Sequence, residues 1–191
     1  MGEPLFPLFL KLTGRRVVLV GAGPVAAEKL RHLLDAGAEV TVVAPDVVPA
    51  VAAAPVTIIR RAFEPGDLDG AWLVVAAAPP EVNREAAAAA AERRIFVNAV
   101  DDPASASAYA AAVLRREQLT VAISTDGTAP ALAGLFREAL EALIPRDLST
   151  WFATARRARA AWLEERVPMP ERRPLLLQAL NRLYDERGAR I

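Results

Sequence analysis

The chain has 191 residues, 53% of them apolar, and 23 basic against 23 acidic residues leave a formal net charge of zero. That length suits one α/β domain with a smaller appendage, and the composition forms a core without the basic field that nucleic acid attracts. There is no Cys and a single His, His32, which excludes a disulfide framework, a thiolate metal site, a Cys nucleophile and any mechanism built on paired histidines.

Residues 1–12 carry Glu3 and Lys11 and lack the basic head, apolar run and cleavage site of a signal peptide. No apolar stretch approaches the roughly 18–20 residues that span a bilayer. The expectation is a soluble cytoplasmic protein with neither a membrane nor a nucleic-acid partner.

In chain order, Arg16–Val20 is a nearly unbroken apolar run that ends in Gly21, the pattern of a parallel strand buried on both faces. From Pro24 the spacing becomes helical, with Ala26, Leu30 and Leu33 on one face and Gly37 placed for a left-handed cap. Glu39–Ala44 reads as a second strand, which completes a βαβ unit. Val56–Arg60 and Ala71–Ala77 read as further strands, a helix is predicted from about Glu81 to Arg93, and Ile95–Asn98 is a fifth strand. Leu119–Ser124 reads as a strand and Pro130–Leu143 as a helix, with Leu132, Leu135, Phe136, Leu140 and Leu143 on one face. Beyond Pro145 the composition shifts. Trp151, Ala155, Ala158 and Trp162 share one helical stripe and read as core, Pro168 and Pro170 break the chain, and Leu176, Leu180, Leu183 and Tyr184 mark a last helix. His32 falls between the apolar positions of the first helix and is expected to face solvent.

The segment Gly21-Ala22-Gly23-Pro24-Val25-Ala26 has the form G-x-G-x-x-A. Gly21 permits the tight turn after the first strand, Gly23 lets backbone approach a pyrophosphate, and Ala26 allows close packing of helix on strand. The phosphates would lie on the free N–H groups of the helix that opens at Pro24. The acidic residue usually found about 20 positions on is replaced by Ala44-Pro45, with Asp46 next. No Arg or Lys lies between Pro45 and Pro55 to receive a 2′-phosphate, although Arg60 and Arg61 are placed to approach from the following strand. NAD is therefore favoured over NADP.

Further along, Asn98-Ala99-Val100-Asp101-Asp102-Pro103 reads by itself as a turn, since Asp before Pro starts turns. Taken with Leu5–Phe9, residues 21–45 and Leu119–Ala133, in this order and spacing, it resembles the precorrin-2 dehydrogenase / sirohydrochlorin ferrochelatase family, which also forms the N-terminal part of siroheme synthases. The resemblance covers residues 5–145. It implies an α/β fold, a Rossmann-type parallel sheet with a small dimerisation segment and a C-terminal helical unit. The boundaries implied are a NAD-binding domain over 1–112, a dimerisation segment over 113–145 and a helical domain over 146–191, with Leu119–Leu143 in a homodimer interface.

The implied reaction is NAD-dependent removal of a hydride and a proton from precorrin-2 to give sirohydrochlorin. Asp101 is the implied catalytic acid/base. Cofactor contacts are implied at Gly21, Ala22, Gly23, Pro24, Val25, Ala44, Pro45, Asp46 and Asn98, with no protein metal ligands. Ser124–Thr128 would border the tetrapyrrole cleft, or Thr128 would simply cap the helix that follows.

The chain departs from the family after Pro103. Where relatives carry a Cys, aromatic residues and Phe-Pro-Ala, it has Ala104–Ala112, mostly small side chains, and Asp126 replaces one Gly of a Gly-Gly pair. Two alternatives to the dehydrogenase stay open: a bifunctional dehydrogenase and ferrochelatase, and an NAD(H)-binding regulatory module without turnover. A short-chain dehydrogenase is disfavoured, because neither Tyr109 nor Tyr184 has a Lys four residues later.

Overall fold

The computed structural model describes residues 5–188. They form two compact units. The first runs to Ala111 and takes in Ser124–Pro130; the second comprises Ala112–Ile123 and the chain from Ala131 onward.

The first unit is a five-stranded parallel sheet in the order β3-β2-β1-β4-β5. Its strands are β1 (Arg16–Val20), β2 (Glu39–Val43), β3 (Thr57–Ile59), β4 (Leu73–Ala76) and β5 (Phe96–Ala99). Helix α1 (Pro24–Asp35) joins β1 to β2 and α3 (Pro80–Glu92) joins β4 to β5, while a short α2 (Pro49–Ala52) precedes β3. The expected strands are all present. Between β3 and β4 the crossover is a 3₁₀ turn, Pro65–Leu68, rather than a full helix.

The apolar run in β1 is explained by its central place. Val17 and Leu19 join one core cluster with Leu30 and Leu33 of α1, whereas Val18 and Val20 join a second with Ala86, Ala89 and Ala90 of α3. Alternate side chains of a strand point to opposite faces, so a strand covered on both faces needs apolar residues throughout. Each such buried Val or Leu contributes about 1.5–3 kcal/mol over its exposed state. The alanines of α3 let that helix lie close to β4 and β5. Gly37 has φ of +74° just beyond the end of α1, the left-handed cap that its position predicted.

The crossover also carries an ion pair. Asp67, 7% exposed, receives two hydrogen bonds from the Arg61 guanidinium, at 2.5 and 2.8 Å, and a third from the Glu64 N–H at 2.9 Å. The Arg61 hydrogen bonds lead in holding the Asp67 carboxyl below its ordinary value of 3.8, with burial opposing them.

The second unit contains the antiparallel pair β6 (Ala112–Arg116) and β7 (Leu119–Ile123), followed by α4 (Pro130–Leu143), α5 (Leu148–Glu164) and α6 (Met169–Gly188). Only one strand was expected here. β6 pairs with β7 around Glu117-Gln118, and Glu117 takes φ of +53° without the Gly or Asn that normally marks such a turn. Of the two prolines expected to break the chain, Pro168 lies in the break and Pro170 lies inside α6. The first helical turn tolerates Pro because its N–H would have no partner there. The predicted stripe on α5 is correct in phase but shallower than core, as Trp151 and Trp162 are only half-buried. Trp151 donates its indole N–H to the Tyr184 hydroxyl at 2.8 Å.

Among the described residues no helix is long and apolar enough to cross a membrane.

Candidate functional site

The strand order reverses between β1 and β4, since β2 lies on one side of β1 and β4 on the other. Loops leaving two such strands diverge, and a crevice opens at their carboxyl ends. There the first unit has a cleft of about 720 Å³, whose lining includes Gly21, Ala22, Gly23, Ala44, Pro45 and Asp46.

The two glycines of the turn do different work. Gly21 has φ of +100°, and a Cβ built on it would lie 2.3 Å from the Ala77 carbonyl oxygen, so only glycine lets the loop after β1 pass the loop after β4. Its N–H donates to the Val43 carbonyl at 2.9 Å, which fixes the turn to β2. Gly23 is not strained. At φ of −81° it accepts any residue locally, and its Cβ would meet nothing within 4 Å. A side chain there would project into open space on the cleft wall, the space a ligand bound against the backbone would need. Ala26 is fully buried under α1.

Helix α1 opens with Gly23 at its N-cap, no side-chain cap, Pro24 in its first turn and no acidic residue there. The first intrahelical bond runs from the Ala27 N–H to the Gly23 carbonyl at 3.0 Å. The N–H groups of Val25 and Ala26 are therefore left for another acceptor, at the positive end of the helix dipole. A cleft with close backbone access, free N–H groups and a glycine wall fits the pyrophosphate of a dinucleotide. Pro24 and Val25 stand at the helix start and do not line the cleft themselves.

At the far end of the cleft, Asp46 follows β2 and Arg60 follows β3. Arg60 is exposed and makes no ion pair or hydrogen bond among the described residues, whereas Arg61 is committed to Asp67. Of the two arginines weighed in the sequence, only Arg60 reaches the cleft.

The Asn98–Pro103 segment leaves β5 at the same end of the sheet. Asn98 does not line the cleft; its side-chain amide donates to the Ala108 carbonyl at 2.9 Å. The adjacent acids separate cleanly. Asp102 serves the turn, with its carboxylate accepting from the Ser105 hydroxyl at 2.7 Å and from the Ser105 N–H at 3.3 Å. Asp101 is exposed, has φ of +59°, and has no hydrogen bond or ion pair among the described residues. A non-Gly residue in the left-handed region is most often Asn or Asp. The turn reading thus accounts for Asp102 and leaves the Asp101 carboxylate available.

Ser124–Thr128 packs on this segment through Gly127, whose Cβ position lies 3.3 Å from the Tyr109 ring and 3.5 Å from Pro103. Thr128 does not cap the following helix. Its hydroxyl donates to the Thr125 carbonyl at 2.5 Å, and Thr125 Oγ1 instead accepts from the Ala129 N–H at 3.3 Å. His32 is exposed as expected and lies 2.8 Å from an Arg31 nitrogen. Among the described residues no group of three or more His, Cys, Asp or Glu side chains is arranged to hold a metal ion.

Sequence reasoning missed Asn83 of α3. It is 3% exposed, accepts from the Ala78 N–H at 3.0 Å and donates to the Val100 carbonyl at 3.4 Å. A lone Asn in an Ala-rich helix carries no pattern that marks it as buried.

In class, then, the first unit is a dinucleotide-binding domain of the doubly wound type. The chain belongs to the family described as "Putative NAD(P)-binding", whose model matches residues 8–112, and a second family, described as "Sirohaem biosynthesis protein central", matches residues 116–143. Siroheme synthase 1 of Aeromonas salmonicida is 44% identical over 172 residues, covering 87% of this chain and 37% of that protein. Siroheme synthase of Photorhabdus laumondii is 39% identical over 180 residues, covering 92% and 38%. The chain spans less than two-fifths of the length of these relatives. A solved structure titled SirC, precorrin-2 dehydrogenase, superposes with a TM-score of 0.67 at 25% identity, covering 91% of this chain and 88% of that one.

Proposed function

We propose that this chain is a cytoplasmic, homodimeric, NAD-dependent precorrin-2 dehydrogenase that makes sirohydrochlorin for siroheme. The observation that carries the proposal is the pairing of two features in one unit: a switch-point cleft fitted to a pyrophosphate, and a carboxylate left free at the carboxyl end of the neighbouring strand. The end-to-end likeness to a precorrin-2 dehydrogenase supplies the substrate.

In this reading the backbone of Gly21, Ala22 and Gly23, with the N–H groups at Val25 and Ala26, holds the pyrophosphate. Ala44, Pro45 and Asp46 hold the adenosine ribose, the Asp46 carboxylate accepting from its hydroxyls. NAD, when bound, accepts a hydride. Asp101 takes the proton lost from the same substrate, and its exposure on a loop held at both ends suits a base that must meet a large, carboxylate-rich tetrapyrrole. Pro24 sets the helix start, and Asn98 keeps the irregular segment that follows Ser105 against β5 through Ala108. The apolar stripe of α4 is the proposed dimer face.

Asp101→Asn tests the assignment. Turnover of precorrin-2 should fall at least about 100-fold, the usual scale for loss of a general base, while the Kd for NAD⁺ stays within about threefold. Unchanged turnover would overturn it. The small-residue stretch 104–112 favours one competitor, an NAD(H)-binding regulatory module, which predicts tight NAD⁺ binding by the wild-type chain with no turnover. Adding Fe²⁺ to sirohydrochlorin in the same assay separates a bifunctional enzyme from a dehydrogenase alone.

A further inference from the structure

We propose that Asn83 is a positioning residue that couples the dinucleotide cleft to Asp101; this rests on the reading of Asp101 as the base. Asn83 lies in the first turns of α3 and is almost wholly buried. Its side-chain oxygen accepts from the N–H of Ala78, a cleft residue, at 3.0 Å. Its side-chain nitrogen donates at 3.4 Å to the carbonyl of Val100, which is the peptide group that leads into Asp101.

The peptide group before it is held as well. The Val100 N–H donates to the Ala76 carbonyl of β4 at 2.8 Å. The Val100 N–H holds the Ala99–Val100 peptide and the Val100 carbonyl holds the Val100–Asp101 peptide, so the two planar groups on either side of the Val100 Cα are both tied down. Asp101 therefore enters its left-handed conformation from a fixed start. Ala78 is equally constrained, because Ala77 donates to the Val20 carbonyl at 2.8 Å and its own carbonyl is the atom that excludes a side chain at Gly21. One amide therefore joins the wall that faces the cofactor to the loop that carries the base, across 17 residues of sequence.

An apolar side chain of the same size would pack here equally well if filling space were the whole requirement. A buried amide is retained only where both ends have partners, since each unpaired polar group costs roughly 1–3 kcal/mol. The two bonds differ in strength, because 3.4 Å is at the long end for N–H···O and 3.0 Å is near the optimum. The link to the Asp101 loop is thus the weaker one, and a substitution can remove it selectively.

Asn83→Asp does so. A carboxylate still accepts from the Ala78 N–H, but it cannot donate to Val100 and sets an oxygen against the carbonyl. The expected result is an NAD⁺ Kd within about threefold of wild type and a kcat with precorrin-2 lowered about 10–100-fold, the scale of a catalytic group misplaced by around an ångström. Asn83→Ser, whose hydroxyl adds no charge and is too short to span both the Ala78 N–H and the Val100 carbonyl, is expected likewise to lower kcat should the Asp variant fail to fold. A merely space-filling Asn83 would instead lower stability while the folded protein kept its kcat, and that result overturns the proposal. Asp101→Asn run alongside distinguishes the two failures. If that variant loses turnover while both Asn83 variants keep it, the positioning role is wrong and the base assignment stands. If Asp101→Asn retains wild-type turnover, both fall.

Discussion

The two units solve the problem of burying apolar surface in different ways. In the first, β1 and β4 are buried almost throughout, and two clusters, one on each face of the sheet, are closed by α1 and α3. In the second, among the described residues, only Leu114, Ala133 and Leu148 are buried apolar side chains, whereas Leu132, Leu135, Phe136, Leu140 and Leu143 all stand exposed along α4. A helix with that much apolar surface on one face needs a partner, and a second copy supplies it in the proposed dimer. The contrast separates a unit whose apolar surface is buried within the chain from one that keeps an exposed apolar helix face, which the proposed dimer would cover.

The sharpest way to break the first unit is Gly21→Ala. The clash with the Ala77 carbonyl and the positive φ together should cost about 2–4 kcal/mol of stability, and dinucleotide affinity should fall more than about 100-fold by calorimetry. Next in size is the double substitution of Leu135 and Phe136 by Glu. Two buried charges per copy should leave a monomer by analytical ultracentrifugation, with the NAD⁺ Kd changed by no more than about threefold. A loss of binding in that monomer would mean that the first unit does not bind the dinucleotide independently of the second.

A smaller effect is expected at Asp67→Asn, about 1–3 kcal/mol in urea unfolding, from the loss of a buried charge-assisted network. Its pH dependence carries a sign. The folded-state pKa is depressed by Arg61, so the unfolded chain takes up the proton first as pH falls. The stabilisation is complete above the ordinary value of 3.8 and is lost as pH drops through the lower folded value; the Asn variant should lack that component of acid sensitivity. Smallest is Gly23→Ala. With no neighbour within 4 Å and an ordinary φ, it should leave stability unchanged or raise it by up to about 1 kcal/mol. NAD⁺ affinity should still fall roughly tenfold, because the methyl group takes space the ligand needs. Opposite behaviour of Gly21→Ala and Gly23→Ala in stability, with the same direction in binding, would sharpen the distinct roles of the two glycines.

The same contrast explains what was legible in the sequence. Val17–Val20, Gly21 and the spacing of Ala26, Leu30 and Leu33 are local signals, and each states its structural requirement within a few residues. β6 was not legible because Ala112–Arg116, three apolar residues followed by two arginines, shows no alternation, and its turn at Glu117-Gln118 lacks Gly. The depth of the α5 stripe was not legible either, since periodicity gives the phase of a face but not what covers it. Asn83 was hidden for a third reason: its significance lies in partners at Ala78 and Val100, and hydrogen bonds of that kind leave no periodic trace. Asp101 and Asp102 are adjacent and chemically identical, and only the family resemblance singled out Asp101; the structure adds that Ser105 occupies the Asp102 carboxylate.

The decisive measurement is anaerobic turnover of precorrin-2 by the wild-type chain with NAD⁺, following NADH and sirohydrochlorin together. A precorrin-2 dehydrogenase should yield the two at equal rates and in equimolar amounts. Saturable NAD⁺ binding with neither product formed above the enzyme-free rate would contradict that assignment.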